Sequence, residues 1–239
     1  MFKKLFLTLA ALVVISISAN AALVAYWDFE NGPYAGGATA SATNGFGAAA
    51  TSASMSAAGI VDTLSIVSTT GTTVNQASGD SSSLTGLRVQ DGSGNNREKN
   101  GFVLTYTVTN PNFYVTGLAI SFADRENLTG RTYTHTFQVV YNGTTNNAGS
   151  TAIASATSYG SHSFTFTNTI PSQTATNFTI IDTVTITSGA NSDTYDIDNI
   201  QITGTTTAVP EPINVSLALF GVVFCGVKFG RRLLGLVRA

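Results

Sequence analysis

The sequence predicts an all-β fold: a two-sheet sandwich set between a cleavable N-terminal export signal and a C-terminal apolar helix. Three observations carry the sandwich. Apolar and polar residues alternate with period two in one segment after another, so that each segment would turn one face inward. β-Branched and aromatic residues fill those segments, as half-buried pleated surfaces prefer. Asn-Gly, Gly-Thr and Ser-Gly turn signals separate them, notably Asn142-Gly143 and the run Asp91 to Asn96.

The chain opens with Lys3 and Lys4, an apolar run from Leu5 to Ile17, and Ala19-Asn20-Ala21, which puts small residues where signal peptidase reads. This is the tripartite pattern of a secretory signal, residues 1–21, cleaved after Ala21. The apolar run falls short of the roughly 20 residues a membrane span needs. Export machinery and signal peptidase are therefore the first expected partners.

Residues 22–204 form the expected β domain. Leu23–Glu30 and Ile60–Val67 are its first strands. Between them, 34–59 is almost all Ala, Ser, Gly and Thr and reads as a long loop or a weak strand. In Gly101–Thr109 the apolar set is Phe102, Leu104, Tyr106 and Val108. Phe113–Ala123 follows, its phase slipping at Gly117 between Val115 and Leu118, which predicts a bulge. Thr132–Tyr141 carries Tyr133, His135, Phe137, Val139 and Tyr141 in phase; Ser163–Thr167 is a shorter strand; Phe178, Ile180, Val184 and Ile186 mark another. Tyr195–Ile202 closes the domain with a second slip at Asp198-Asn199. About eight short strands and no helical window argue for a sandwich of jelly-roll type. Residues 205–208 are expected as a linker.

At 209–239 the composition changes again. Pro210 and Pro212 hold the backbone extended. An apolar stretch over about 213–230 would reach roughly 27 Å as a helix, just enough for a bilayer core. Arg231, Arg232 and Arg238 follow and anchor the end on the cytoplasmic side by the positive-inside rule.

Composition excludes several functions. Charged residues are 10% of the chain, against roughly 25% in ordinary soluble domains. Residues 22–208 hold twelve acids and five bases, a formal charge of −7, so no basic footprint for nucleic acid exists. The single cysteine, Cys225, lies in the C-terminal apolar run, which removes disulfides and thiol chemistry from the domain.

The succession Val209-Pro210-Glu211-Pro212, apolar helix and arginine cluster resembles the PEP-CTERM sorting signal of Gram-negative bacteria, except that Leu233–Val237 stays apolar beyond the first arginines. The resemblance implies an exosortase substrate, held transiently in the inner membrane and processed near the motif. Its mature form would be at the cell surface or outside the cell, and Val209, Pro210, Glu211 and Pro212 would be recognition residues. Leu23–Glu30 resembles the opening strand of laminin G-like and concanavalin A-like domains, and Tyr195–Ile202 followed by Gly204 resembles the closing strand of jelly-roll carbohydrate-binding modules.

If first and last strands adjoin, as that resemblance implies, Asp28, Glu30, Asp196, Asp198 and Asn199 are the hard oxygen donors for a structural Ca²⁺, the candidate ion of this chain. The competing reading is ordinary outward-facing charge. Tyr34, Tyr114 and Tyr159 are candidates for stacking on sugar rings, whereas Trp27, inside a strand, reads as core. Asp28 with Glu30 and Asp124 with Glu126 have the i, i+2 spacing that puts two carboxylates on one face of a strand, but glycoside hydrolysis also needs a shaped cleft. No histidine cluster, nucleophile elbow or phosphate loop is present. His135, in an apolar phase, reads as a hydrogen-bonded core residue. The sequence thus favours a non-catalytic envelope or extracellular-matrix protein with weak polysaccharide contacts. A secreted polysaccharide hydrolase or lyase and a purely structural or adhesive surface protein are the alternatives.

Overall fold

The computed structural model describes residues 20–30, 35–37, 39–42, 48, 50, 52–59, 64–80, 85–91, 101–109, 113–126, 132–141, 143–154, 156–166, 177–187, 194–208 and 220–221. The export signal before residue 20, Tyr34, the motif Val209 to Pro212, and Arg231, Arg232 and Arg238 lie outside them. So does the expected membrane helix apart from Phe220 and Gly221, which are helical and exposed. Among the described residues no helix is long and apolar enough to cross a membrane.

The unit Ala19–Thr207 holds the sandwich. Its strands are β1 (Asn20–Trp27), β2 (Ala35–Gly37), β3 (Thr39–Ser41), β4 (Ser52–Gly59), β5 (Leu64–Thr70), β6 (Thr85–Asp91) and β7 (Phe102–Thr109). Then come β8 (Phe113–Glu126), β9 (Thr132–Tyr141), β10 (Thr144–Ala154), β11 (Gly160–Thr165), β12 (Phe178–Thr187) and β13 (Tyr195–Ala208). One sheet runs β11-β8-β13-β6-β5-β2, with β1 also on β13; the other runs β10-β9-β12-β7-β4-β3. From β6 to β9, and again from β11 to β13, each connection crosses between the sheets. With the first and last strands paired, this is a jelly-roll sandwich.

The core lies where the alternation placed it. Phe102, Leu104, Tyr106 and Val108 of β7 face Tyr195, Ile197, Ile200 and Ile202 of β13 across the sandwich, all fully buried. Trp27 meets Tyr106 edge-on at 5.6 Å between ring centroids, Tyr195 sits 5.0 Å from Phe102, and Phe137 stacks on Phe164 at 4.6 Å. Burying such rings supplies most of the hydrophobic stabilisation a disulfide-free domain has.

Both phase slips fall on left-handed backbone: Gly117 at φ 58° and Asn199 at φ 49°. Glycine pays no Cβ penalty there, and asparagine is among the few other residues that adopt this region. Each lets the strand turn its next apolar residue back inward.

Two expectations need correction, and of the two readings left open for 34–59 the strand holds over 52–59. Residues 52–59 form β4, paired along its whole length with β7 and turning Met55 and Ala57 inward. Small side chains weaken the local preference, but β7's backbone groups need partners, and β4 supplies them. The stretch 205–208 is no linker: it completes β13, with Thr205 opposite Ala21 and Thr206 opposite Asn20. β1 ends at Trp27, and Phe29 lies at φ 57°, so the i, i+2 rule does not put Asp28 and Glu30 on one strand face.

The two sheets differ in charge. In the sheet of β10, β9, β12, β7, β4 and β3 the only ionisable acid or histidine side chains, Asp182 and His135, point into the core. Within the strands, exposed charge is confined to the other sheet.

Candidate functional site

The charged face is the one that β13, β6 and β8 turn away from the core. In β13, Tyr195 and Ile197 point inward, so Asp196 and Asp198 point outward. Yet neither is solvent-exposed: Arg88 and Arg125 cover Asp196, and the segment beginning at Thr72 is bonded to Asp198. Just before it, Gly71 packs against the start of β6, where a Cβ would stand 2.8–2.9 Å from the backbone of Thr85.

Asn199 fastens the segment. Its left-handed backbone aims the side-chain amide at the carbonyls of Thr72 (2.6 Å) and Val74 (2.9 Å), while its Oδ1 lies 2.7 Å from the Tyr26 hydroxyl. That hydroxyl is also 2.5 Å from Asp80 Oδ2. Burial and the Asp80 carboxylate push the Tyr26 phenol well above its ordinary range. Asp198 Oδ2 accepts the Thr72 N–H at 2.8 Å, and its Oδ1 the Asn199 N–H at 2.8 Å. Burial first, then the charges of Glu30 and Asp28, outweigh those bonds and raise the Asp198 carboxyl to about 7. Asn75 completes the fastening, donating to the Asn199 carbonyl at 2.7 Å and accepting at its own carbonyl from Gln201 at 2.7 Å.

Beside this node stands a cationic and aromatic cluster. Arg88 of β6 donates Nε to Asp196 Oδ1 at 2.6 Å and Nη2 to Oδ2 at 2.9 Å. Arg125 of β8 donates Nε to the same Oδ2 at 3.0 Å, and Thr69 adds its hydroxyl at 3.4 Å. The Arg125 guanidinium lies 4.6 Å from the centroid of the Tyr159 ring, and the Tyr159 hydroxyl donates to the Thr70 carbonyl at 2.9 Å. Burial, with the Asp196 carboxylate next, pushes the Tyr159 phenol up. The carboxylate is nearly buried (3% of its side chain exposed), while the guanidinium-bearing chains are 26% and 28% exposed. A saturated acceptor thus lies at the base and two cations form the rim.

Of the five residues expected around a calcium ion, Asp28 and Glu30 lie close enough to Asp198 to raise its carboxyl, whereas Asp196 stands apart from them. Asp196 belongs to the arginine cluster. Asn199 and Asp198 are engaged with the 71–80 segment. Glu30 accepts the Thr85 N–H at 3.2 Å, and Asp28 the Glu30 N–H at 3.1 Å. Among the described residues no group of three or more His, Cys, Asp or Glu side chains is placed to hold a metal ion. Of the tyrosines expected to stack on sugars, Tyr159 is half-buried with Arg125 against its ring; Tyr114 lies on β8. Trp27 is core and His135 is buried on Asp182. Arg88, Arg125, Tyr26 and Asn75 were not singled out from the sequence: their partners on β13 are 71 to 173 residues away.

No protein-family model matches the chain, and no curated protein does. Solved structures do show similarity. One is the family 11 carbohydrate-binding module of a Clostridium thermocellum cellulosomal cellulase: 13% identity, TM-score 0.37, covering 79% of this chain and 96% of that one. A second is the CBM22-1 xylan-binding domain from Paenibacillus barcinonensis: 11% identity, TM-score 0.41, covering 80% of this chain and 99% of that one. A third is an arabinose-bound α-L-arabinofuranosidase: 14% identity, TM-score 0.42, covering 80% of this chain but 27% of that longer one. At TM-scores below 0.5 these likenesses carry no functional argument for this chain.

Proposed function

We propose that this chain is an exported, non-catalytic β-sandwich protein of the envelope or extracellular matrix. It is sorted through its PEP-CTERM-like tail and contacts polysaccharide through the outer face of the β13–β6–β8 sheet. The observation that supports the site is the half-exposed Tyr159 ring, fixed at its hydroxyl by Thr70, with the Arg125 guanidinium against its face and Arg88 on the same aspartate as Arg125. A rigid ring edged with hydrogen-bond donors suits a sugar, which presents apolar C–H faces and oxygen acceptors together.

The state of the carboxylates supports the non-catalytic part of the reading. Asp124 is 2.9 Å from His162, Asp182 is 2.8 Å from His135, and Asp196 is held by two arginines. A glycosidase needs a pair of carboxylates facing each other across a bond. The export and sorting part rests on the Lys3-Lys4 signal, the Val209–Pro212 motif and the terminal arginines.

A glycan array, run alongside an assay of reducing-sugar release, tests the biochemical part. Retention without release, weakened in Tyr159→Ala, is the expected result. Turnover abolished by one Asp→Asn or Glu→Gln change would replace this reading with a hydrolase. Sorting is tested separately by replacing Pro210, Glu211 and Pro212 with alanine. An unprocessed, membrane-retained protein is expected, and normal release of the mature form would leave the tail a simple anchor.

A further inference from the structure

We infer that Arg88, Arg125 and Tyr159 form a subsite for a carboxylate group, so that the polysaccharide contacted is an acidic, uronate-bearing one. This rests on the polysaccharide reading and names the ligand class for that same face.

The argument is one of charge and donor count. Residues 22–208 contain five lysines and arginines, and two of them converge on a single aspartate. Asp196 alone cannot balance two guanidinium ions, and Asp198, which also acts on Tyr159 but is raised to about 7, supplies only part of a second negative charge near neutrality. Asp196 cannot serve as an acceptor for an incoming hydroxyl: its oxygens already take two bonds from Arg88, one from Arg125 and one from Thr69. What the rim offers is donors. Arg125 commits its Nε to Asp196, and its side chain is 28% exposed. Guanidinium donors match the two oxygens of a carboxylate, and such charge-assisted bonds are about twice as strong as neutral ones.

Pre-organisation adds to this. Arg125 is held at its Nε by Asp196 and across its plane by the Tyr159 ring, and that ring is tied to Thr70. The donor set is therefore fixed before a ligand arrives, which lowers the entropy lost on binding. A neutral sugar would leave the surplus charge unanswered; a uronate would answer it. The acidic remainder of the domain repels a polyanion at long range. At about 0.15 M salt the Debye length is about 8 Å, so contact pairs dominate over that distant field.

The test uses the full chain in detergent micelles and two polymers with one backbone: polygalacturonate and its fully methyl-esterified form. The acid should bind about tenfold or more tightly than the ester, the difference expected of one charge-assisted contact. Arg125→Gln, which leaves Asp196 its two bonds from Arg88, should abolish that preference. Tyr159→Ala should weaken binding of both polymers. Equal binding of acid and ester by the unaltered protein overturns the carboxylate subsite while leaving polysaccharide contact standing, and needs no variant to fold. A preference surviving in Arg125→Gln also overturns it. Failure to bind either polymer or any neutral glycan removes the polysaccharide reading itself.

Discussion

His135 Nδ1 lies 2.8 Å from Asp182 Oδ2, and both side chains are wholly enclosed between the sheets. Asp182 sits mid-strand in β12, flanked by Leu104 on β7 and Phe137 on β9. Burial raises its carboxyl, and the imidazole beside it works in the opposite direction. Removing one partner strands the other in an apolar core. His135→Leu should therefore destabilise by about 3–5 kcal/mol in urea denaturation, the usual result of breaking a buried pair. The double variant His135→Leu, Asp182→Leu should recover most of that loss. If the double variant were no better than the single, the pair would not be the unit of stability.

Tyr106 and Tyr195 are fully buried, and among the described residues neither hydroxyl has a hydrogen-bond partner. Tyr106→Phe keeps the ring against Trp27 and removes an unsatisfied polar group, so stability should rise by about 1 kcal/mol. Tyr26→Phe should do the reverse, losing about 1–3 kcal/mol, because that hydroxyl bridges Asp80 and the buried Asn199. Equal effects in the two variants would contradict this contrast.

Acid–base linkage gives stability a slope. His162 is raised above its ordinary 6.5 by its bond to Asp124, so its contribution is complete below that value and disappears as pH rises through the folded pKa. Asp198 is raised from 3.8 to about 7, so its contribution is complete below 3.8 and disappears as pH passes about 7. Both act in one direction. The melting temperature should fall from about pH 4 to about pH 7 through Asp198 and go on falling above 6.5 through His162, the first part less steeply in Asp198→Asn and the second less steeply in His162→Gln. Calcium tests the expected ion site: a calcium-dependent rise of this curve, reversed by a chelator, would support an ion held near Asp28, Glu30 and Asp198, and an unchanged curve would count against it.

Gly204 in β13 is closely approached from β8. A methyl at that Cα would stand 2.6 Å from Val115 Cγ1 and 3.2 Å from the Thr116 carbonyl. Gly204→Ala should destabilise by about 1–3 kcal/mol through overpacking. Trimming Val115 to alanine in the same chain should recover part of the loss, which a general strand-propensity effect of the substitution would not predict.

Legibility in the sequence followed burial. β9 runs from Thr132 to Tyr141 as read, because five inward side chains there are large and in phase. β4 was legible only as the weaker of two readings and β10 not at all, although each is eight residues or longer. β4 is Ser and Ala around Met55, and β10 turns only Ala148 and Ile153 fully inward; neither has enough apolar contrast to show a period. Their neighbours' hydrogen-bonding needs make them strands. The candidate site divided the same way. Asp196 and Asp198 stood out because they interrupt an apolar strand, whereas Arg88 and Arg125 became part of the site only when β6 and β8 closed around β13.

That closure has a consequence for how the molecule is made. β13 is synthesised last, yet it is the neighbour of β1, β6 and β8. A ribosome-bound chain lacking residues beyond 194 holds three strands whose shared partner does not yet exist. Contacts of such long sequence separation are the slow ones to form. The domain should therefore stay open and threadable until its final strand arrives, and then lock in one late step. A nonsense change within the last strand would leave no smaller folded domain behind, only a chain for proteases to clear.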